Sequence, residues 1–288
     1  MIRLQLQVEL AYTVLQPGAD FFFCIHAANT HSQTVSHELL TVSQPQAHWA
    51  IQPSSRYAGE RCLRLEALPG SLLVSYHATV DMCHHVVDPA RITEVPVRQL
   101  PLDVLGYIYP SRYCQSDRLY HLALSQFGQL PQGYARALAI CDWVRRHVSF
   151  RSNSSMGTTS AVDTLIERVG VCRDFAHLMI ALCRAVNLPA RFVSSIDYGS
   201  NPCLGPPDFH AYVEVYLGDR WYLFDPSGTA IPMGMIRLVT GRDAADVAFA
   251  TIFGSVTSES PRINVRATHD HAAGWELPQH TALALSTA

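Results

Sequence analysis

The sequence predicts an α+β protein: an N-terminal antiparallel β-sandwich-like domain, then a core of helices followed by antiparallel strands. Three observations predict this. Residues 1 to about 85 alternate apolar and polar side chains at period two, the period then becomes helical, and two late alternating runs fold back on a Gly-Asp turn. With 48% apolar and 16% charged residues among 288, the chain is too apolar for disorder. No apolar run reaches the length of a membrane span, and a net charge of −3 argues against a nucleic-acid partner.

The elements follow in order. Residues 3–10 alternate, as do parts of 21–26, 36–42, 61–67 and 71–80. Gln16-Pro17-Gly18, Asn29-Thr30, Gln52-Pro53-Ser54-Ser55 and Pro69-Gly70 supply turn chemistry between them. The first domain is therefore set at 1–88. Pro89, Pro96 and Pro101 punctuate an extended linker, 89–101. The core spans 102–274, with helices expected over 117–127 and 133–147. Another opens on the capping box Ser160-Ala161-Val162-Asp163 and ends at Gly170. A longer helix runs from Cys172 to a stop at Asn187-Leu188-Pro189, with Phe175, Leu178, Met179, Leu182 and Val186 on its apolar face. Strands are expected over 190–196, 210–217 and 220–225. The tail, 275–288, lacks periodicity and is expected to be mobile.

Eight cysteines occur at 24, 62, 83, 114, 141, 172, 183 and 203, none in a C-x-x-C element. The first residues carry no basic segment followed by an apolar run, so reduced thiols and a cytoplasmic location are expected. Cys172 stands apart. It opens the apolar helix, where free N–H groups and the helix dipole favour a thiolate. A buried structural thiol is the plain alternative.

The base and its orienter come from the hairpin. If Gly218-Asp219 is a two-residue loop, Leu217 faces Arg220, and Asp225 lies opposite Tyr212, two positions from His210. His210 and Asp225 then project from one face as diagonal neighbours. Cys172, His210 and Asp225 supply a nucleophile, a base and an orienter. Asp174 reads as a capping residue and His177, some 140° round the helix from Cys172, as a packing group. Cys83-His84-His85 cannot converge on a metal, since adjacent strand residues point to opposite faces, and His269-Asp270-His271 lies near the aperiodic tail, so neither metal nor cofactor is expected. Cys203 reads as an ordinary loop thiol near the cleft.

Gly170-Val171-Cys172-Arg173-Asp174-Phe175-Ala176-His177 resembles the nucleophile motif of the bacterial transglutaminase-like family, whose members are described as cysteine proteases. His210-Ala211-Tyr212-Val213-Glu214-Val215 and Trp221-Tyr222-Leu223-Phe224-Asp225-Pro226-Ser227 are similar to its His and Asp motifs, and Pro110-Ser111-Arg112-Tyr113-Cys114 and Gly241-Arg242-Asp243-Ala244-Ala245-Asp246-Val247 to two further ones. The strand-rich first domain is similar to the family's N-terminal domain. Tyr212 stands where the family usually has Trp. The resemblance implies a papain-like core, a Cys172–His210–Asp225 triad and a thioester intermediate. The oxyanion donors it calls for are the Cys172 N–H or a side chain from residues 152–155.

Three functions remain open at this point: a thiol amidase or protease on a peptide-like amide, an amine acyltransferase, and an idle peptide-binding module. The intact triad disfavours the third. All 21 basic residues are Arg, so an amine transferase would find no lysine on its own surface. Arginine-biased coding explains that equally, and hydrolysis is expected. No acidic loop of EF-hand type suggests calcium control.

Overall fold

The alternating N-terminal run becomes β1 (Ile2–Phe23), a strand of 22 residues with Ile2, Leu4, Leu6, Val8 and Leu10 buried. This computed structural model describes residues 1–54, 59–199 and 208–288; Cys203 lies outside the described residues. The turn expected at Gln16-Pro17-Gly18 is instead a bulge within β1, where the pairing register slips between Val14 and Ala19. The slip switches the buried parity from even residues to Ala19, Phe21 and Phe23, as an odd insertion must in a period-two strand. There follow β2 (Gln33–Val42), β3 (His48–Pro53), β4 (Arg61–Ala67), β5 (Gly70–Met82) and the short β6 (His85–Val87). The first five pair in the order β2-β5-β1-β4-β3. One curled antiparallel sheet replaces the expected two-sheet sandwich, because the long bent β1 serves both halves.

Residues 89–101 are not a loose linker. The Glu94 carboxylate accepts from Gly133 N–H at 2.9 Å and pairs with Arg136, and Thr93 O accepts from Gly218 N–H. Beyond it come α1 (Leu102–Leu105), α2 (Tyr120–Phe127), α3 (Tyr134–His147), β7 (Ser149–Phe150) and α4 (Ala161–Glu167). Ser160 and Asp163 form the expected capping box. The helix ends earlier than expected, on left-handed Arg168, because Val169 and Gly170 form β8 (Val169–Gly170) alongside β7. The long helix is α5 (Cys172–Ala185). Every residue from Asp174 to Ala185 is buried, so it is a central helix rather than an amphipathic surface one. Asn187, at φ +63°, turns the chain out of it, with Leu188 N–H closing on Cys183 O.

A second antiparallel sheet, in the order β11-β10-β9-β12, comprises β9 (Ala190–Asp197), β10 (Phe209–Leu217), β11 (Arg220–Phe224) and β12 (Met235–Gly241), with α6 (Ala244–Val247) after it. Ala211, Val213, Val215 and Leu217 of β10 join α5 in the main apolar core. Tyr212 is fully buried with Val193, Leu223, Met235 and Leu285 in a separate cluster.

The C-terminal region departs from the expected division. Residues 250–268, assigned to the core by sequence, form β13 (Ala250–Ser258) and β14 (Arg262–Thr268), which pair with β1 along its free edge. The tail is not loose at its end: β15 (Ala284–Ser286) pairs with β6, and residues 284–287 are buried. The short Ala-Leu-Ser strand carries too little pattern to announce itself. Among the described residues, no helix is long and apolar enough to cross a membrane.

Candidate active site

Cys172 is the first residue of α5, and three interactions fix that helix start. The buried Asp174 carboxylate accepts from Val171 N–H at 2.9 Å and from Ser155 Oγ at 2.8 Å, and the Arg173 guanidinium lies 3.3 Å away. This one-sided cap holds the first turn, and Asp174 N–H donates to the Val171 carbonyl at 2.8 Å. Gly170 has to be glycine, since a methyl there would stand 2.7 Å from Asp174 Cβ. The half-buried Cys172 thiol reaches to 3.9 Å from the carbonyl oxygen of Phe209, the residue before His210.

The hairpin has the expected register, Leu217 opposite Arg220 through Val213 opposite Phe224. It brings His210 and Asp225 to one face, with His210 Nε2 3.4 Å from Asp225 Oδ1. This is ion-pair reach without hydrogen-bond alignment. Both side chains are buried. The next residues hold the carboxylate: Oδ1 accepts from Ser227 Oγ at 2.6 Å and Ser227 N–H at 3.0 Å, and Oδ2 from Ala230 N–H at 3.3 Å. Burial alone pushes the Asp225 carboxyl up, but His210, Ser227 and Ala230 outweigh it and its pKa is lowered. Burial likewise disfavours the imidazolium of His210, but the charge of Asp225 and then Cys172 outweigh it. Its pKa stands well above the ordinary 6.5. A ring that holds a proton beside a thiol is what a thiolate–imidazolium pair requires.

The cleft above these groups encloses about 920 Å³, with Cys172, His210, Tyr113, Phe192, Phe209 and Phe249 in its walls. The Phe209 and Phe249 rings stack at 4.2 Å. The two further motifs meet behind it. Tyr113 N–H donates to Asp243 Oδ2 at 2.9 Å, and buried Arg184 of α5 donates to the carbonyls of Tyr109, Ala190 and Arg242. Sequence reasoning missed Arg184, which lies across the helix from the apolar face and there reads as one more surface charge. His177 is the packing group expected: fully buried, stacked on Tyr113 and accepting from Ala244 N–H at 3.2 Å. Burial, with Arg173 and Arg184 nearby, holds it neutral. Of the serines in 152–155, Ser155 donates to Asp174 and Ser154 to Arg151 O, while Ser152 lines the cleft. Among the described residues, no three His, Cys, Asp or Glu side chains converge to hold a metal.

With this geometry in view, comparison with known proteins is decisive. The profile of the Transglutaminase-like superfamily matches residues 121–226, and that of the Bacterial transglutaminase, N-terminal domain, matches residues 2–103. The chain belongs to the transglutaminase-like superfamily. A solved structure from Cytophaga hutchinsonii, described as a "Putative Cysteine Protease", is 37% identical, covers 99% of this chain and 97% of its own, and superposes with a TM-score of 0.89. An uncharacterized protein of Mycobacterium leprae is 28% identical over 38% of this chain and 41% of its own length. One from Mycobacterium tuberculosis is 33% identical over 34% and 35% respectively. The chain thus matches less than half the length of these curated relatives. Family membership supports a cysteine-based hydrolase or acyltransferase.

Proposed function

We propose that the protein is a cysteine-nucleophile amidase or protease that cleaves a peptide-like amide through a thioester on Cys172. The observation that carries this reading is the buried His210–Asp225 pair at 3.4 Å, beside a thiol at the open start of α5. In the proposed reaction His210 takes the thiol proton and Cys172 Sγ attacks the amide carbonyl. The tetrahedral oxyanion is met by the Cys172 N–H at the helix start. His210 returns the proton to the departing amine, leaving the acyl group on sulfur. It then takes a proton from water, which hydrolyses the thioester to the acid. Asp225 keeps the ring oriented and stabilises its charged form throughout. The substrate class is a peptide or protein-like amide, in keeping with the aromatic cleft walls. The reading includes a cytoplasmic location and no cofactor.

Amine transfer is the second reading. The absence of lysine, which spares the chain from forming ε-amine links to itself, is the observation in its favour. Competition separates the two. A glutamine peptide or peptide library is incubated in water with and without a millimolar primary amine, and the products are read by mass spectrometry. Free acid that the amine barely diverts supports hydrolysis. Dominant amide product would overturn it, because only a dedicated acceptor site reverses the advantage of water.

A further inference from the structure

Two half-buried thiols outside the candidate site lie side by side, Cys62 on β4 and Cys24 one residue past the end of β1. The β1–β4 register ends with Phe23 opposite Leu63, so one further step sets Cys24 opposite Cys62. Their sulfurs lie 4.0 Å apart. Directly opposed residues hold their Cβ atoms about 4.5–5.5 Å apart, against about 3.5–4.5 Å in a disulfide. Closing the bond therefore takes a side-chain rotation and about 1 Å of approach. We propose that Cys24 and Cys62 form a reversible disulfide, a redox site next to a residue of the cleft wall.

The pair is asymmetric. The contact with Cys24 lowers the pKa of Cys62, while that of Cys24 is raised by the same contact and by burial. Cys62 is thus the attacking thiolate. It displaces one thiolate from a low-molecular-weight disulfide, giving a mixed disulfide on Cys62. Cys24 then loses its proton, attacks the Cys62 sulfur and releases the second thiolate. The two protein thiols are oxidised, and the small disulfide is reduced to two thiols. Cys114, Cys141 and Cys183 are buried, and Cys83 is exposed. The site adjoins the cleft through its backbone, since Cys24 N–H donates to Phe249 O at 3.0 Å and the Phe249 ring stacks on Phe209.

The test starts from fully reduced, natively folded protein incubated with glutathione disulfide, followed by intact mass measurement and non-reducing tryptic mapping. The expected result is a cross-link between residues 62–64 and the peptide of residues 4–56 that carries Cys24, and, in the Cys172→Ala protein, which lacks the reactive site thiol, loss of two hydrogen atoms. Dithiothreitol should restore the starting mass. Cys62→Ser and Cys24→Ser should each abolish the cross-link. Stable glutathione adducts without a cross-link, a cross-link through other cysteines, or an unchanged mass would each overturn the proposal. The wild-type map decides the matter even where a variant folds poorly.

Discussion

Replacing Asp225 by Asn removes one charge while preserving shape and the acceptor that faces Ser227 N–H. At 3.4 Å and an effective dielectric near 20, the attraction between Asp225 and a protonated His210 is about 5 kcal/mol. Burial opposes the imidazolium, so without this attraction the ring of Asp225→Asn should be neutral near pH 7. In the proposed reaction the attacking sulfur of Cys172 then has no charged partner. Transmission of about 1.4 kcal/mol, under a third of the pair's attraction, slows a thiolate-dependent reaction tenfold. The assay is brief iodoacetamide labelling at pH 7 with peptide mapping of Cys172, and the variant should label at least tenfold more slowly. The stability change carries its own sign. Asp225 contributes above its ordinary value of 3.8, and that share is lost as pH falls through its lowered folded value. His210 contributes below 6.5, and that share is lost as pH rises through its raised folded value. The Tm deficit of the variant should therefore be greatest between pH 3.8 and 6.5 and shrink on either side. Wild-type labelling in a variant with an unchanged Tm profile would refute the reasoning.

Three further outcomes are expected. Arg184→Met should cost about 1–3 kcal/mol in urea unfolding, because it leaves the buried carbonyl of Ala190 and the half-buried ones of Tyr109 and Arg242 without this donor; a loss below about 0.5 kcal/mol would contradict this. Burial raises the Glu60 carboxyl to about 7 despite hydrogen bonds from Thr240. The unfolded chain ionises near 4.5 and the native one near 7, so wild-type stability should fall relative to Glu60→Gln across that interval by roughly 3 kcal/mol and then level off. A pH-independent difference measured by chemical denaturation would rule this out. Gly170→Ala forces a methyl to within 2.7 Å of Asp174 Cβ, so it should destabilise by about 1–3 kcal/mol and slow Cys172 labelling. A neutral effect on both would show that the helix start yields.

Local chemistry was what the sequence made legible. A two-residue Gly-Asp loop permits one register, and that register put His210 and Asp225 on one face. The apolar spacing from Phe175 to Val186 marked α5, and Asp174 in its first turn takes the capping role its position suggests. What stayed hidden depends on contacts distant in sequence. The pairing of residues 250–268 with β1 follows from an edge left free some 240 residues earlier, and no periodicity in either segment reports it. Gln16-Pro17-Gly18 carries turn chemistry, yet strands on both sides of β1 carry the chain through it as a bulge. Arg184 and Glu60 are charged residues whose burial is decided by carbonyls and a threonine from elsewhere in the fold.

The central claim, that Cys172 carries the acyl group, is tested most directly by trapping the intermediate. Protein incubated with a peptide library is quenched in acid, which preserves thioesters, then digested and mapped by mass spectrometry. An acyl adduct on Cys172 of the wild type, with no product from Cys172→Ala, is the predicted result. Acylation of another residue, or product formed by Cys172→Ala at the wild-type rate, would contradict it.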